Sequence, residues 1–212
     1  MSLTFYYGSG SPYAWKVWLA LEHKQLPYEF KLLSFDKGDT RTPEFLALNP
    51  RGKVPVIVDD GFALYESSVI VEYLEERWPE RPLIFGTPAD RARIRRLAAE
   101  ADTYLPQAMN PLRPFVMGGD GATPEALARG RDSIIAELAR FDSYLGTQEF
   151  LAGPLSLADF ALYPHVRLLL RFNGRIAGLD IDPAIPPGLR RWLDRIAALP
   201  YHERTIPPHW KA

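Results

Sequence analysis

The sequence predicts a chain in two parts, a mixed α/β domain followed by an all-α domain. Three observations predict it. Apolar runs and helical patterns alternate through the first 80 residues, a Pro- and Gly-containing break follows at residues 79–88, and only helical periodicity lies beyond. The expected boundaries are 1–80 for the first domain, 81–90 for the linker and 91–212 for the helical domain.

In the first part, Leu3 to Tyr7 is apolar and aromatic, ends at Gly8 and reads as a buried strand. Gly8-Ser9-Gly10-Ser11 is a turn, and Pro12 suits the first position of a helix on which Ala14, Val17, Trp18 and Leu21 fall at helical spacing. Tyr28 to Leu33 is a second strand, completing a βαβ unit. Pro43 opens a short helix that Asn49-Pro50 ends. Val54 to Val58 is a third strand, Asp59-Asp60-Gly61 a hairpin turn, and Phe62 to Tyr65 a fourth strand. Ser67 begins a helix expected to present Val69, Ile70, Tyr73 and Leu74 on one face.

The second part reads as a bundle. Asp90 to Met109 carries Ile94, Leu97, Ala98, Ala101 and Leu105 at helical spacing. Thr123-Pro124-Glu125 opens a helix to about Leu145. Ser156, with Asp159 three residues on, reads as a capping box and opens a third helix, a folding device and not chemistry. Pro187 to Leu199 is a fourth helix, and Ile206 to Ala212 is expected to be irregular.

Composition narrows the chemistry. Hydrophobic residues make up 47% and charged residues 24%, enough apolar material for a core without staples. Lys and Arg number 25 against 26 Asp and Glu, so no single-sign field recommends nucleic acid or an anionic membrane. The cluster Arg91, Arg93, Arg95 and Arg96 reads as a solvated or ion-paired helix face. With no cysteine, disulfides, thiolate metal sites and a cysteine nucleophile are excluded. His23, His165, His202 and His209 show no ligand spacing, so no metal is expected. There is no signal-like start and no apolar run of membrane-spanning length, which makes the cytoplasm the expected location.

Ser11 stands where the first strand hands over to a helix. Unpaired N–H groups and the positive end of the helix dipole favour an anion there, although the same position also suits a plain N-cap. Val54-Pro55 opens the third strand, where a cis bond would turn the Val54 backbone outward, and an edge-strand proline is the other reading. Glu66-Ser67 lies at the start of the next helix, where the backbone can hold a carboxylate and Glu66 can accept from an ammonium group. Gly8-Ser9-Gly10 lacks the third glycine of a dinucleotide loop, Tyr13 standing in its place.

Taken together, the strand-Ser11-Pro12-helix junction, Asn49-Pro50-Arg51-Gly52-Lys53-Val54-Pro55, Glu66-Ser67-Ser68-Val69-Ile70 and an all-α second half resemble the soluble glutathione transferase family. Gly38 to Pro50 is similar to phi-class and bacterial members, and Ser11-Pro12-Tyr13-Ala14-Trp15-Lys16-Val17 to the serine-type tau branch. The resemblance implies a thioredoxin-like first domain and glutathione as co-substrate. It implies that Ser11 donates to the glutathione sulfur. Val54 would pair its backbone with the cysteinyl part beside cis-Pro55, Glu66 and Ser67 would hold the γ-glutamyl end, and Lys53, with Arg41, would face the glycyl carboxylate.

The tyrosine of tyrosine-type members registers on Phe5, which leaves Tyr6 and Tyr7 as packing residues and Ser9 as the rival of Ser11. The Ser-Ser-Cys-type run of isomerase-like zeta members is replaced by Ser9-Gly10-Ser11-Pro12. The second substrate, a small and mostly apolar electrophile, is expected over Ser11 at Tyr13, Tyr104, Leu105, Ala108 and Phe115. A homodimer follows from the resemblance. The alternatives are a glutathione-dependent isomerase, dehalogenase or ether-cleaving enzyme, and a binding module without turnover.

Overall fold

The computed structural model describes residues 2–118 and 120–211; Met1, Gly119 and Ala212, which the expected domains include, lie outside the described residues. The chain divides into two compact units. One takes in residues as far as Leu83 and those from Pro200 onward, and the other runs from Ile84 to Leu199.

The first unit is built on four strands, β1 (Leu3–Gly8), β2 (Glu29–Leu33), β3 (Val56–Asp59) and β4 (Phe62–Tyr65), in the order β2-β1-β3-β4. β1 runs parallel to β2 with Thr4 opposite Glu29, and antiparallel to β3 with Tyr6 opposite Val56. β3 begins two residues later than expected because Pro55 has no N–H to give a ladder. Helices α1 (Pro12–Lys24), α2 (Pro43–Leu48) and α3 (Ser67–Arg77) complete the sheet unit. Residues 14–21 of α1 are all buried, so this helix runs through the core of the unit and not along its surface.

On α3 the buried residues are Ser67, Ile70, Val71, Leu74 and Glu75, whereas Val69 is 51% exposed. The expected face was therefore turned by about 100° per residue of misregister, because Ser67 and not Val69 belongs to the inward stripe. Glu75 is buried because Lys24 answers it at 2.7 Å. The same ammonium donates to the carbonyls of Trp78 and Arg81, and the Glu75 carboxylate accepts from the N–H of Leu83. The expected linker is thus partly fixed onto the sheet unit.

Residues from Pro200 onward, which the sequence assigns to the helical half, pack with the sheet unit. A short helix, His202–Thr205, precedes the stretch expected to be irregular, and within that stretch a single 3-10 turn, Pro208–Trp210, forms. The Trp15 indole N–H donates to Thr205 Oγ1 at 3.0 Å, and the Trp15 and Trp210 rings meet edge to face at 5.2 Å.

The helical unit contains α4 (Pro88–Met109), α5 (Arg113–Met117), α6 (Pro124–Leu145), α7 (Leu157–Asn173) and α8 (Pro187–Ala197). Each start carries proline at the first turn or a serine or threonine cap, which is why the sequence located α4, α6, α7 and α8. Ile94, Leu97, Ala101 and Leu105 of α4 are buried with Ile134, Leu138 and Phe141 of α6 and Phe160, Leu162 and Val166 of α7. Ser156 and Asp159 form the expected capping box. The Asp159 carboxylate also accepts from Leu151 N–H and from the Trp192 indole, each at 2.9 Å. In the arginine cluster, Arg91 donates to the Ile84 carbonyl and Arg96 pairs with Glu100.

Candidate functional site

The loop between β1 and α1 is the centre of the candidate site. Ser11 caps α1, its Oγ accepting from Ala14 N–H at 3.3 Å, and its own N–H donates to Gly8 O at 3.1 Å. That long cap bond occupies one lone pair and leaves the hydroxyl proton to be given elsewhere. Pro12 follows at the first helical position, and no acidic residue lies in the first turn. The positive end of α1 is therefore not neutralised by its own helix.

Val54 and the loop are brought together by Gly8. A Cβ on Gly8 would run into the Phe35 ring and stand 3.0 Å from Val54 Cγ2, so the strand end lies close against both side chains. The Val54–Pro55 bond is cis, as expected, and Pro55 precedes an interior strand and not an edge.

The start of α3 repeats the electrostatics of α1. Glu66 stands before the first turn with φ +72°, exposed, with no side-chain cap bond, and the first turn again holds no acidic residue. Positive φ in a residue with a Cβ is a local cost that marks a constrained position. Ser67 is buried, and Ser68 Oγ accepts from the Lys16 ammonium at 3.0 Å. Lys16 is only 1% exposed, so a cation of α1 sits beside the start of α3. Arg41 and Lys53 are both exposed. A Cβ on Gly52 would stand 2.8 Å from Arg41 Nη1, which puts the Arg41 guanidinium against the residue before Lys53.

The tyrosines next to the loop serve packing. Tyr7 is fully buried, its hydroxyl accepts from Gly10 N–H at 3.3 Å, and burial pushes its phenol up to about 12. Tyr6 packs its ring on Phe45 at 6.0 Å. Ser9, the rival of Ser11, is held by His209, with 2.5 Å between Oγ and Nδ1.

Of the residues expected at the second substrate, Tyr13 is partly exposed on α1 in the sheet unit. In the helical unit Ala108 and Phe115 are partly exposed. Leu105 is a correction. It is fully buried, because the helix turns about 100° per residue and the face of Leu97 and Ala101 points into the core. Its neighbour Tyr104 opens onto a surface depression of about 270 Å³ lined by Glu100, Glu137, Arg140 and Tyr144, a charged setting and not an apolar one.

Three residues at the site escaped sequence reasoning. Lys16 carried a signal, one cation inside an otherwise apolar run from Ala14 to Leu21. Phe35 and His209 carried none, since both reach the loop from distant segments. Among the described residues no group of three or more His, Cys, Asp or Glu stands together as a metal site, and no helix is long and apolar enough to cross a membrane.

Comparison with known proteins gives a consistent result. Residues 10–77 match the family model "Glutathione S-transferase, N-terminal domain", and residues 124–195 match "Glutathione S-transferase, C-terminal domain". The chain is 32% identical to glutathione S-transferase A of Pleuronectes platessa, over 98% of this chain and 92% of that protein. It is 34% identical to maleylacetoacetate isomerase of Pseudomonas aeruginosa, over 98% and 96%. A glutathione transferase of Pseudomonas putida, crystallised with one glutathione disulfide per subunit, superposes with a TM-score of 0.84 at 25% identity, covering 97% of this chain and 90% of that one.

Proposed function

The chain belongs to the soluble glutathione transferase family, and from that premise we propose that it binds glutathione on the sheet unit and activates the thiol with Ser11. It is a glutathione S-transferase, and glutathione is its co-substrate. The observation that carries the site assignment is the pair of helix starts, α1 and α3, each without an acidic residue in its first turn. Two anionic groups of one peptide, a thiolate and a carboxylate, answer two such termini.

A free thiol with pKa near 8.5 is only about 3% thiolate at pH 7. Lowering that value by about two units takes roughly 2.7 kcal/mol of preference for the anion. The Ser11 hydroxyl proton and the unneutralised α1 terminus are of the size to supply it. The thiolate then attacks an electrophilic carbon. A C–S bond forms and the leaving group departs with its electron pair, or in conjugate addition the carbanion takes a proton. Catalysis is thiolate stabilisation plus proximity.

In the same reading Glu66 accepts from the γ-glutamyl ammonium, Ser67 and the α3 start hold its carboxylate, Val54 pairs with the cysteinyl backbone, and Arg41 and Lys53 face the glycyl carboxylate. Tyr13, on the sheet unit, and Ala108 and Phe115, on the helical unit, are the contacts proposed for the electrophile. Residues 1–80 are assigned to glutathione and 91–212 to the second substrate, with the segment from Pro200 onward transferred to the first. A cytoplasmic homodimer belongs to this reading by the habit of the family. Sedimentation as a stable monomer would overturn the dimer.

The test is the ultraviolet thiolate absorbance of bound glutathione across pH, for wild type and Ser11→Ala. The wild type should titrate about two units below the free thiol, with the variant returning toward it and losing about 100-fold in kcat/KM. An unchanged variant would transfer the role to Ser9. Absence of bound glutathione would leave a binding module. Isomerase chemistry is the second reading, favoured by the 34% identity to maleylacetoacetate isomerase. Ser9-Gly10-Ser11-Pro12 speaks against it, and turnover of maleylacetoacetate faster than that of simple electrophiles would restore it.

A further inference from the structure

We propose that His209 is a positioning residue for the thiol loop, acting through Ser9 and Gly10 to hold the backbone that carries Ser11. Its bearing on catalysis rests on the glutathione reading above.

Five contacts carry the inference. His209 Nδ1 lies 2.5 Å from Ser9 Oγ. The same ring covers Gly10, whose φ is +86° and whose missing Cβ would stand 2.8 Å from His209 Cε1. The Trp210 indole N–H donates to His209 Nε2 at 2.9 Å. The Trp210 ring packs edge to face on Trp15 of α1, and the Trp15 backbone N–H donates to Ser11 O at 2.9 Å. Ser11 therefore sits between two anchors, Ser9 behind it and Trp15 ahead of it. Both are held by adjacent residues of one segment nearly 200 positions away.

The proton positions follow from the partners. An indole nitrogen only donates, so His209 Nε2 accepts and the neutral ring keeps its proton on Nδ1. Nδ1–H then donates to Ser9 Oγ. A Gly-Ser-Gly loop has more backbone freedom than other tripeptides, and a hydroxyl that must meet a sulfur within a few tenths of an ångström gains from losing that freedom beforehand. The tail supplies the restraint without touching the reacting atoms.

The experiment compares wild type, His209→Ala and His209→Asn, the last placing an amide N–H where Nδ1–H stood. The first readout is amide hydrogen exchange at residues 8–15 without ligand, and the second is the pH titration of bound glutathione. In His209→Ala, exchange at Gly10 and Ser11 should quicken about tenfold or more. The bound thiol should titrate about one unit higher, with kcat at pH 6.5 falling about tenfold and glutathione affinity nearly unchanged. His209→Asn should recover most of both. Unchanged exchange in His209→Ala overturns the proposal whether or not glutathione binds. Faster exchange with an unmoved thiol titration also overturns it, leaving the tail a structural cover. If the wild type shows no bound thiolate, the glutathione reading fails while the exchange comparison still decides whether His209 holds the loop.

Discussion

Ser11 and Ser156 occupy the same place in their helices and are answered in opposite ways. Ser156 is fully buried, and Asp159, three residues on, accepts from both its N–H and its hydroxyl at 2.9 Å. Burial pushes the Asp159 carboxyl up, and its bonds from Leu151, Trp192 and Ser156 draw it back. Ser11 is partly exposed, makes one long cap bond, and has no acid in the turn that follows. One helix start is closed by its own side chains and the other is not. Of the long helices, α4, α6 and α7 carry Asp90, Glu125 and Asp159 in their first turns while α1 and α3 carry none, a trait that α8 shares. Stability and binding use the same helix physics, and the difference lies in whether the terminus is satisfied within the fold.

That contrast can be broken most severely at Asp159. Asp159→Ala leaves the Trp192 indole and two backbone N–H groups buried without acceptors, and should cost about 4 kcal/mol, lowering the melting temperature by about 10 °C. Glutathione affinity of the folded protein should be unmoved in a calorimetric titration. Ser156→Ala removes only the cap and should cost about 1–2 kcal/mol by denaturant midpoint. Ser11→Ala should do the reverse, costing under about 1 kcal/mol in stability while removing most activity.

Tyr13→Glu sharpens the comparison by giving α1 the first-turn acid that α7 has. Melting should stay within about 1 kcal/mol of wild type. The bound thiol should titrate higher and glutathione bind more weakly, and unchanged binding would show that the α1 terminus is not used.

The smallest effect concerns His23, whose imidazole burial holds down at about 4, with Lys24 and Arg81 adding to the depression. Protons then bind the unfolded chain first, so stability present above about 6.5 declines as pH falls toward 4. His23→Gln should flatten that decline in denaturation midpoints measured between pH 4 and 7.

Most of the elements were legible because their ends are written locally. Pro12, Pro43, Pro124 and Pro187 open helices, Thr123 and Ser156 cap them, and Asp60-Gly61 turns the hairpin. Ser11, Val54, Glu66 and Ser67 were legible as a combination, since each lies at a strand end or helix start with a local signature. Faces were less legible. Val69 and Leu105 each stand one residue from an outcome of the opposite kind, and a helical pattern blurred by neighbouring apolar residues does not separate them. Phe35 against Gly8 and His209 against Ser9 were not legible at all, because contacts across 27 and 200 positions leave no period in the chain.

The sheet unit is assembled from both ends of the described chain, which bears on its synthesis. A ribosome that has released everything through Leu199 has delivered all four strands and α1 to α3, yet Trp15 still lacks Thr205 and Trp210. The core of the sheet unit is therefore closed by residues made after the whole helical unit has emerged. A nascent sheet unit must wait, with one tryptophan uncovered, for about 116 intervening residues, a delay governed by elongation at roughly 5–20 residues per second and not by its own folding rate.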